Sequence, residues 1–329
     1  MLVLLTSVAH QHYGDRLDGP GLEWLTLQPD GTLQDGSGSP VEWEDARPEV
    51  AWGTSDLFRA GAPIAAFFGG LTRLDSLRWF QSPAAGFDSP VFAQLATRGV
   101  RITNAHVNSL PIAEFVLRSV LDEFQQAGEW RRLAGRREWA IHDWREVSGT
   151  TWLVVGLGGI GSAVAVRARA FGATVIGCRR SPSPDDPTDR TVTPDQLPAV
   201  VGEADVVVLA APATPDTDGL VDADLLARMR EGSVLVNVAR GSLVDEDALL
   251  AALDRGVPAA AVLDVFRTEP LPADHPFWTH PSVRITPHNS AGGVGRLERQ
   301  AELFAGNLAR YRAGEPLVHD VTDEVLSLG

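Results

Sequence analysis

Short apolar runs rich in β-branched residues alternate along this chain with stretches whose apolar positions recur every three or four residues. That alternation predicts parallel sheets with helices on their faces, an α/β fold. In the first hundred residues, LVLLTSV (2–8), GLEWLTL (21–27), PIAAFF (63–68) and LRWFQS (77–82) predict strands, and a further short one precedes AWGTSD. A longer stretch from Leu110, LPIAEFVLRSVLDEFQ, has its apolar residues at helical spacing. A second alternating set begins at TWLVVGLGGIG. Strands are predicted there at 151–155, 174–178, 205–211, 233–239, 259–265 and 283–286, with helices between them. Six strands in roughly 140 residues is the size of a complete doubly wound domain. A final helix is predicted from about Gly293 to Arg312, SPSPDDPTDR (181–190) reads as an exposed loop, and no internal repeat is visible.

Composition narrows the class. The chain has 329 residues, long enough for two domains each with its own core, and 44% hydrophobic with 22% charged residues is usual for a globular protein. A formal charge of −15 argues against a nucleic-acid partner or an anionic membrane surface. The opening MLVLLTSVAH lacks a basic n-region and a small-residue cleavage site, so it reads as a buried strand. No apolar run reaches the length of about 18 residues that spans a bilayer. One cysteine, Cys178, excludes an internal disulfide and a thiolate metal cluster, and suits a reducing, cytoplasmic setting. All 28 Lys+Arg residues are arginine. Schiff-base chemistry, a phosphate-loop lysine and a lysine general base are therefore excluded.

Gly156, Gly158 and Gly161 form G-x-G-x-x-G, with Gly159 and Ile160 inside it. The spacing alone is weak, but here it follows the apolar strand TWLVV and opens the helical run IGSAVAVRARAFG. Those are the contexts in which the first glycine makes a tight turn, the second admits a pyrophosphate against backbone, and the third lets helix and strand pack closely. Amides at the helix start then face the phosphate charge. The bland alternative is a plain strand–turn–helix. At the end of the next strand, TVIGC, an acidic residue would accept bonds from the ribose 2′-hydroxyl of NAD. Arg179, Arg180 and Ser181 stand there instead, and guanidinium and hydroxyl groups suit the 2′-phosphate of NADP. NADP(H) is therefore the expected cofactor and NAD(H) a possible one. The arginines are otherwise solvated on a loop, or stacked on adenine in an NAD enzyme.

Three more stretches fall at or just beyond predicted strand ends: VNVARGSLVDEDAL with Ala239 and Arg240, VLDVFRTEP with Asp264 and Glu269, and ITPHNSAGG with His288. An arginine clamps a carboxylate bidentately, and a histidine is the natural proton donor near neutral pH. A glutamate against that imidazole fixes its orientation and favours its protonated form. Beside a hydride carrier, these parts describe reduction of a 2-keto acid. Arg240 grips the carboxylate, and His288 protonates the oxygen.

These stretches resemble the D-isomer-specific 2-hydroxyacid dehydrogenase family. QSPAAGFD, SLPIAEFVL, GLGGIG, APATPDT, NVARGSLVDEDAL, LDVFRTEPLPADHPFW and TPHNSAG occur in family order from about Leu77 onward. The resemblance implies that Arg240, Glu269 and His288 are the catalytic arginine, glutamate and histidine. It also implies that Asp264 contacts the nicotinamide carboxamide, that Ala85 and Gly86 bind substrate carboxylate through backbone amides, and that Pro212 and Thr217 lie beside the adenosine. Two Rossmann-like doubly wound domains with a cleft between them are implied. A flavodoxin-like substrate domain would comprise 1–104 and 290–329, with a dinucleotide-binding domain over 105–289, in a homodimer. The arginine pair is similar to the NADP-using glyoxylate/hydroxypyruvate reductase branch. Formate dehydrogenases of this fold carry glutamine where Glu269 stands, which argues against formate.

The remaining signals have ordinary readings. His106, His142, His275, His280 and His319 match no ligand spacing, so no metal is expected. Cys178 reads as a small buried hydrophobe. Trp130, Trp139 and Trp144 anchor a subunit contact or fill the domain's flank, and Trp52 and Trp278 are candidates for lining a pocket. The reading is an NADPH-preferring reductase of small 2-keto acids, glyoxylate or hydroxypyruvate, giving the D-2-hydroxy acid. The rivals are a non-catalytic NAD(P)H-sensing protein of the corepressor type, or a dehydrogenase for phosphite or 3-phosphoglycerate.

Overall fold

A computed structural model describes residues 1–328 except Ala60, Ala85, Asp88 and Ala105, and omits the side chains of Glu324, Ser327 and Leu328. The chain forms two compact units, one comprising Met1–Val107 with Val294–Gly329 and the other Asn108–Gly293.

The first unit holds seven strands: β1 (Leu2–Thr6), β2 (Glu23–Leu27), β3 (Leu33–Gln34), β4 (Pro40–Val41), β5 (Val50–Trp52), β6 (Trp79–Ser82) and β7 (Arg101–Asn104). Their order is β4-β3-β2-β1-β5-β6-β7. Only the edge pairings β2–β3 and β3–β4 are antiparallel. Alternation along β1 sorts its side chains to two faces. Leu4 enters one hydrophobic cluster, and Val3 and Leu5 enter the other. The second cluster is closed by the helix Gly295–Ala313, whose Phe304 stacks on Trp52 at 4.5 Å and on Trp79 at 5.2 Å.

One expectation fails here. PIAAFF, predicted as a strand, begins the helix Ile64–Leu71. A short apolar run has no period that separates a buried strand from a buried helix. Tertiary packing decides, with Phe67, Gly70 and Leu71 buried at helical spacing. Gly70 is needed there because a Cβ would lie 2.1 Å from the Trp43 ring. Strand β7 carried no sequence signal strong enough to be read.

The second unit is a seven-stranded sheet of β8 (Thr151–Val155), β9 (Thr174–Cys178), β10 (Arg190–Val192), β11 (Val206–Leu209), β12 (Val234–Asn237), β13 (Ala260–Leu263) and β14 (Val283–Ile285). Its order is β10-β9-β8-β11-β12-β13-β14, and every pairing is parallel. The central strands VVVL, VLVN and AAVL are buried throughout, as strands covered on both faces must be. Leu153 and Val155 face one core cluster, Trp152 and Val154 the other. The six strands expected here are present, and β10 adds a seventh at the end of the loop read as SPSPDDPTDR. Cys178 is 2% exposed, and burial pushes its thiol up to about 11. Among the described residues, no helix is long and apolar enough to cross a membrane, and no group of His, Cys, Asp and Glu is placed to hold a metal.

Candidate active site

The strand order of the second unit reverses between β8 and β11, where doubly wound sheets open a crevice beyond their carboxyl ends. Gly156 leaves β8 with φ +94°, and a Cβ there would lie 2.5 Å from the Ala211 nitrogen. A Cβ on Gly161 would lie 1.8 Å from the Gly156 carbonyl oxygen, so no larger residue fits where helix Gly159–Ala170 meets the turn. Gly158 differs. A Cβ built on it meets nothing within 4 Å, leaving an open cradle at the helix N-terminus. The helix has no acidic residue in its first turn. Open backbone, free amides and a positive helix end fit a dinucleotide's pyrophosphate. Across the crevice, the turn after β11 is tied by Thr217 Oγ1 donating to the Pro212 carbonyl at 2.8 Å and accepting from the Thr214 amide at 2.8 Å.

At the end of β9 the structure separates the two arginines. Arg179 donates through Nη1 to Asp186 Oδ1 at 2.7 Å. The Asp186 side chain is only 5% exposed and also accepts from the Ser183 amide at 2.9 Å. Burial raises the pKa of Asp186, but the Ser183 amide and the Arg179 guanidinium outweigh it and hold the carboxyl below the usual range. Arg180 and Ser181 are exposed on the same loop. Asp186 lies within the stretch read only as a loop, and nothing in its composition distinguished it.

Beyond β12 and β13, two loops interlock. Gly241 has no room for a Cβ, which would lie 1.9 Å from the Phe266 carbonyl carbon. Arg267 bridges the loops by donating to the Ser242 carbonyl at 2.9 Å and the Val244 carbonyl at 3.0 Å. Asn237 fixes the backbone on either side of Arg240, accepting from the Ala239 amide at 3.0 Å and donating to the Arg240 carbonyl at 2.9 Å. Arg240 itself donates to the Ala239 carbonyl at 2.7 Å.

Asp264, 1% exposed, organises the next loop. Its carboxylate accepts from Thr286 Oγ1 at 2.6 Å, the Asn289 amide at 2.8 Å and the Ser290 amide at 3.1 Å, while its carbonyl accepts from the His288 amide at 2.8 Å. This ring of bonds holds His288 at φ +51°, a left-handed conformation that costs a non-glycine residue roughly 1–3 kcal/mol. The imidazole Nδ1 then meets Glu269 Oε2 at 2.8 Å, while Glu269 Oε1 accepts from the Phe266 amide at 3.0 Å. A carboxylate on Nδ1 leaves Nε2 as the ring atom turned to other chemistry, on a side chain 52% exposed.

Residues 117–290, over half of the chain, match the model of the D-isomer specific 2-hydroxyacid dehydrogenase NAD-binding domain. The chain belongs to the D-isomer specific 2-hydroxyacid dehydrogenase family. It is 34% identical over 264 residues to a glyoxylate reductase of Thermococcus kodakarensis, covering 77% of this chain and 78% of that one. It is 37% identical over 202 residues to glyoxylate/hydroxypyruvate reductase A of Serratia proteamaculans, covering 61% of this dehydrogenase and 64% of that relative's length. A D-isomer specific 2-hydroxyacid dehydrogenase from Xanthobacter autotrophicus Py2, solved with NADPH and MES, superposes with a TM-score of 0.77 at 30% identity over 98% of each chain.

Not every expected site residue of this dehydrogenase is accounted for in the second unit. Gly86 lies in the first unit and Ala85 lies outside the described residues. Trp52 is fully buried against Phe304. Trp278 is half exposed, its indole donating to the Pro272 carbonyl at 2.8 Å. Four of the five histidines read as ordinary occupy one stacked ring pair or weak acidic contacts: His106 stacks on His319 and His275 faces Glu246 at 3.7 Å. His280 faces Asp254 at 3.4 Å, and the fifth, His142, stacks on Trp130.

Proposed function

We propose that this dehydrogenase reduces a small 2-keto acid of the glyoxylate/hydroxypyruvate class to the D-2-hydroxy acid, using NADPH in preference to NADH, in the cytoplasm. Asn108–Gly293 is the cofactor-binding unit, and Ala85 and Gly86 bind the substrate carboxylate. The glycine turn at 156–161 holds the pyrophosphate, Pro212 and Thr217 line the adenosine side, and Ala239 and Asp264 lie toward the nicotinamide. When bound, that ring supplies the hydride. Arg240 holds the substrate carboxylate by a forked pair of bonds. His288 donates a proton to the carbonyl oxygen and removes it in the reverse direction, with Glu269 orienting the ring through Nδ1.

The observation that carries this reading is the His288–Glu269 pair at 2.8 Å, held on a loop pinned by the buried Asp264. An acid–base pair on a rigid support is what keto reduction requires. Cofactor preference rests on Arg180 and Ser181, with Arg179 presented by Asp186, and on the NADPH complex of the Xanthobacter relative. A panel of 2-keto acids assayed against NADPH and NADH tests the proposal. Glyoxylate or hydroxypyruvate should turn over at ordinary enzyme rates with NADPH. No turnover of any 2-keto acid with either cofactor would refute it.

The assembly is proposed to be a homodimer through the segment around 130–144, where Trp139 is 96% and Ile141 90% exposed. Large apolar side chains exposed to that degree mark interaction surfaces.

A further inference from the structure

The stretch Arg180–Ser181–Pro182 carries much of the proposed preference for NADPH, yet among the described residues it makes no hydrogen bond of its own. What holds it lies at its two ends, and both ends come to one side chain. Arg179, just before it, donates through Nη1 to Asp186 Oδ1 at 2.7 Å. Ser183, just after it, donates its amide to Asp186 Oδ2 at 2.9 Å, and the Asp186 amide returns to the Ser183 carbonyl at 3.1 Å. One carboxylate therefore closes this stretch like a staple, with one oxygen on each flank.

Asp186 is in turn fixed to the sheet. Its carbonyl accepts from the Thr188 amide at 2.8 Å, and the Thr188 and Thr191 hydroxyls share a bond at 2.8 Å. Thr188 rests on β9. A Cβ added to Gly177 would lie 2.9 Å from the Thr188 methyl and 2.5 Å from the Leu157 side chain of the glycine turn, so the strand admits the loop where it carries no side chain. Asp189 completes the seam, its amide donating to the Val175 carbonyl at 2.9 Å and its carboxylate accepting from the Val175 amide at 2.8 Å. The charge of Asp186 has the wrong sign to attract a phosphate, because like charges nearby disfavour each other. What it supplies is order. A segment left untied must be ordered by the ligand, and affinity then falls with the fraction of molecules in which the seat is already formed.

We propose that Asp186 is a positioning residue that determines cofactor specificity: by bracketing Arg180–Pro182 it holds Arg180 and Ser181 in place for a 2′-phosphate, without touching the dinucleotide itself. The inference rests on the proposed preference for NADPH and names the residue that builds the seat for it.

Calorimetric titration of the whole protein with adenosine 2′,5′-bisphosphate and with 5′-AMP isolates the 2′-phosphate from the rest of the reaction. The wild type should bind the bisphosphate more tightly. Asp186→Ala should weaken the bisphosphate at least about fivefold and 5′-AMP by less than about twofold. In steady state the ratio of kcat/KM for NADPH to that for NADH should fall by the same factor, through the KM for NADPH. Charge alone predicts the opposite, since removing the carboxylate frees Arg179 and lifts a repulsion. Bisphosphate binding that is unchanged or tighter in the variant overturns the proposal, and so does an equal loss for both nucleotides, the mark of a merely structural role. Asp186→Asn, of the same size at a side chain only 5% exposed, carries both measurements if the alanine variant folds poorly. Its NH2 group faces one of the two donors, so one arm of the staple opens. The two readings fail separately. A wild type that does not discriminate the nucleotides refutes the NADPH preference and the staple with it, whereas discrimination that survives both substitutions refutes the staple alone. Discrimination lost in the variants, with no keto acid reduced by the wild type, keeps the staple and refutes the reductase.

Discussion

Replacing Arg180 by alanine should remove most of the preference for NADPH, whereas replacing Arg179 should remove less. The structure separates these neighbours by what already compensates them. Arg179 is bound at 2.7 Å to a carboxylate only 5% exposed, so much of its charge is cancelled before any phosphate arrives. Arg180 is exposed on the same loop and brings its charge uncompensated. A charge-assisted hydrogen bond contributes about 1.5–3 kcal/mol when shielded, and exposed pairs contribute roughly 0.2–1 kcal/mol. A phosphate docked on an exposed loop falls between, at about 1–2 kcal/mol, or about 5- to 30-fold in affinity. Fluorescence titration should therefore show Arg180→Ala weakening NADPH by about that factor and NADH by less than twofold. Added salt should shrink the wild-type preference, because exposed charges are screened. An Arg180→Ala enzyme that keeps its NADPH-to-NADH ratio, or an Arg179→Ala enzyme that alone loses it, would refute the reasoning.

His288→Asn should lower kcat by at least the roughly 10²-fold typical of lost acid–base catalysis. Reduction and oxidation should fall together in this variant, and an essentially unchanged kcat in either direction would remove His288 from the proton transfer. Arg240→Lys keeps the charge and loses the fork, so kcat/KM for the keto acid should fall tenfold or more while NADPH affinity stays within about twofold; the opposite split in steady-state and binding data would reassign Arg240. Trp139→Asp with Ile141→Asp should convert a dimer to a monomer in analytical ultracentrifugation, and an unchanged sedimentation coefficient would move the interface elsewhere. The Cys178 thiol, pushed from 9.0 up to about 11 by burial, should resist alkylation at pH 8 in the folded protein and react on unfolding. Because the folded state keeps that proton longer, the thiol's contribution to stability is intact below pH 9 and declines between 9.0 and about 11, measurable by denaturant titration.

Much of the second unit is legible in the sequence alone. Its strands are continuous apolar runs because both faces are covered, and a run such as VVVL admits few other readings. The glycine turn was legible for a related reason: a strand, three spaced glycines and a helix are all local, and the 1.8 Å approach of a Cβ at Gly161 to Gly156 shows why no other residue fits. The chemical types of Arg240, Glu269 and His288, each just past a strand, were legible too.

What sequence left open was decided by contacts between distant residues. Glu269 and His288 are nineteen residues apart and meet only because Asp264 bends the second loop back through three hydrogen bonds. Arg179 and Arg180 are adjacent and chemically identical, yet one is held by Asp186 and the other is not, since the turn of the loop decides which guanidinium reaches the carboxylate. PIAAFF became a helix because tertiary packing buries Phe67, Gly70 and Leu71 at helical spacing, a demand that appears only once the chain is folded. The polar atoms of Trp52 and Gln300 are buried because the helix Gly295–Ala313 returns to the first sheet, stacking Phe304 on Trp52. Local pattern determines which elements form, since it acts through the backbone of a few neighbouring residues. Which side chains come together depends on the order in which the strands are laid side by side, and that order is a property of the whole chain.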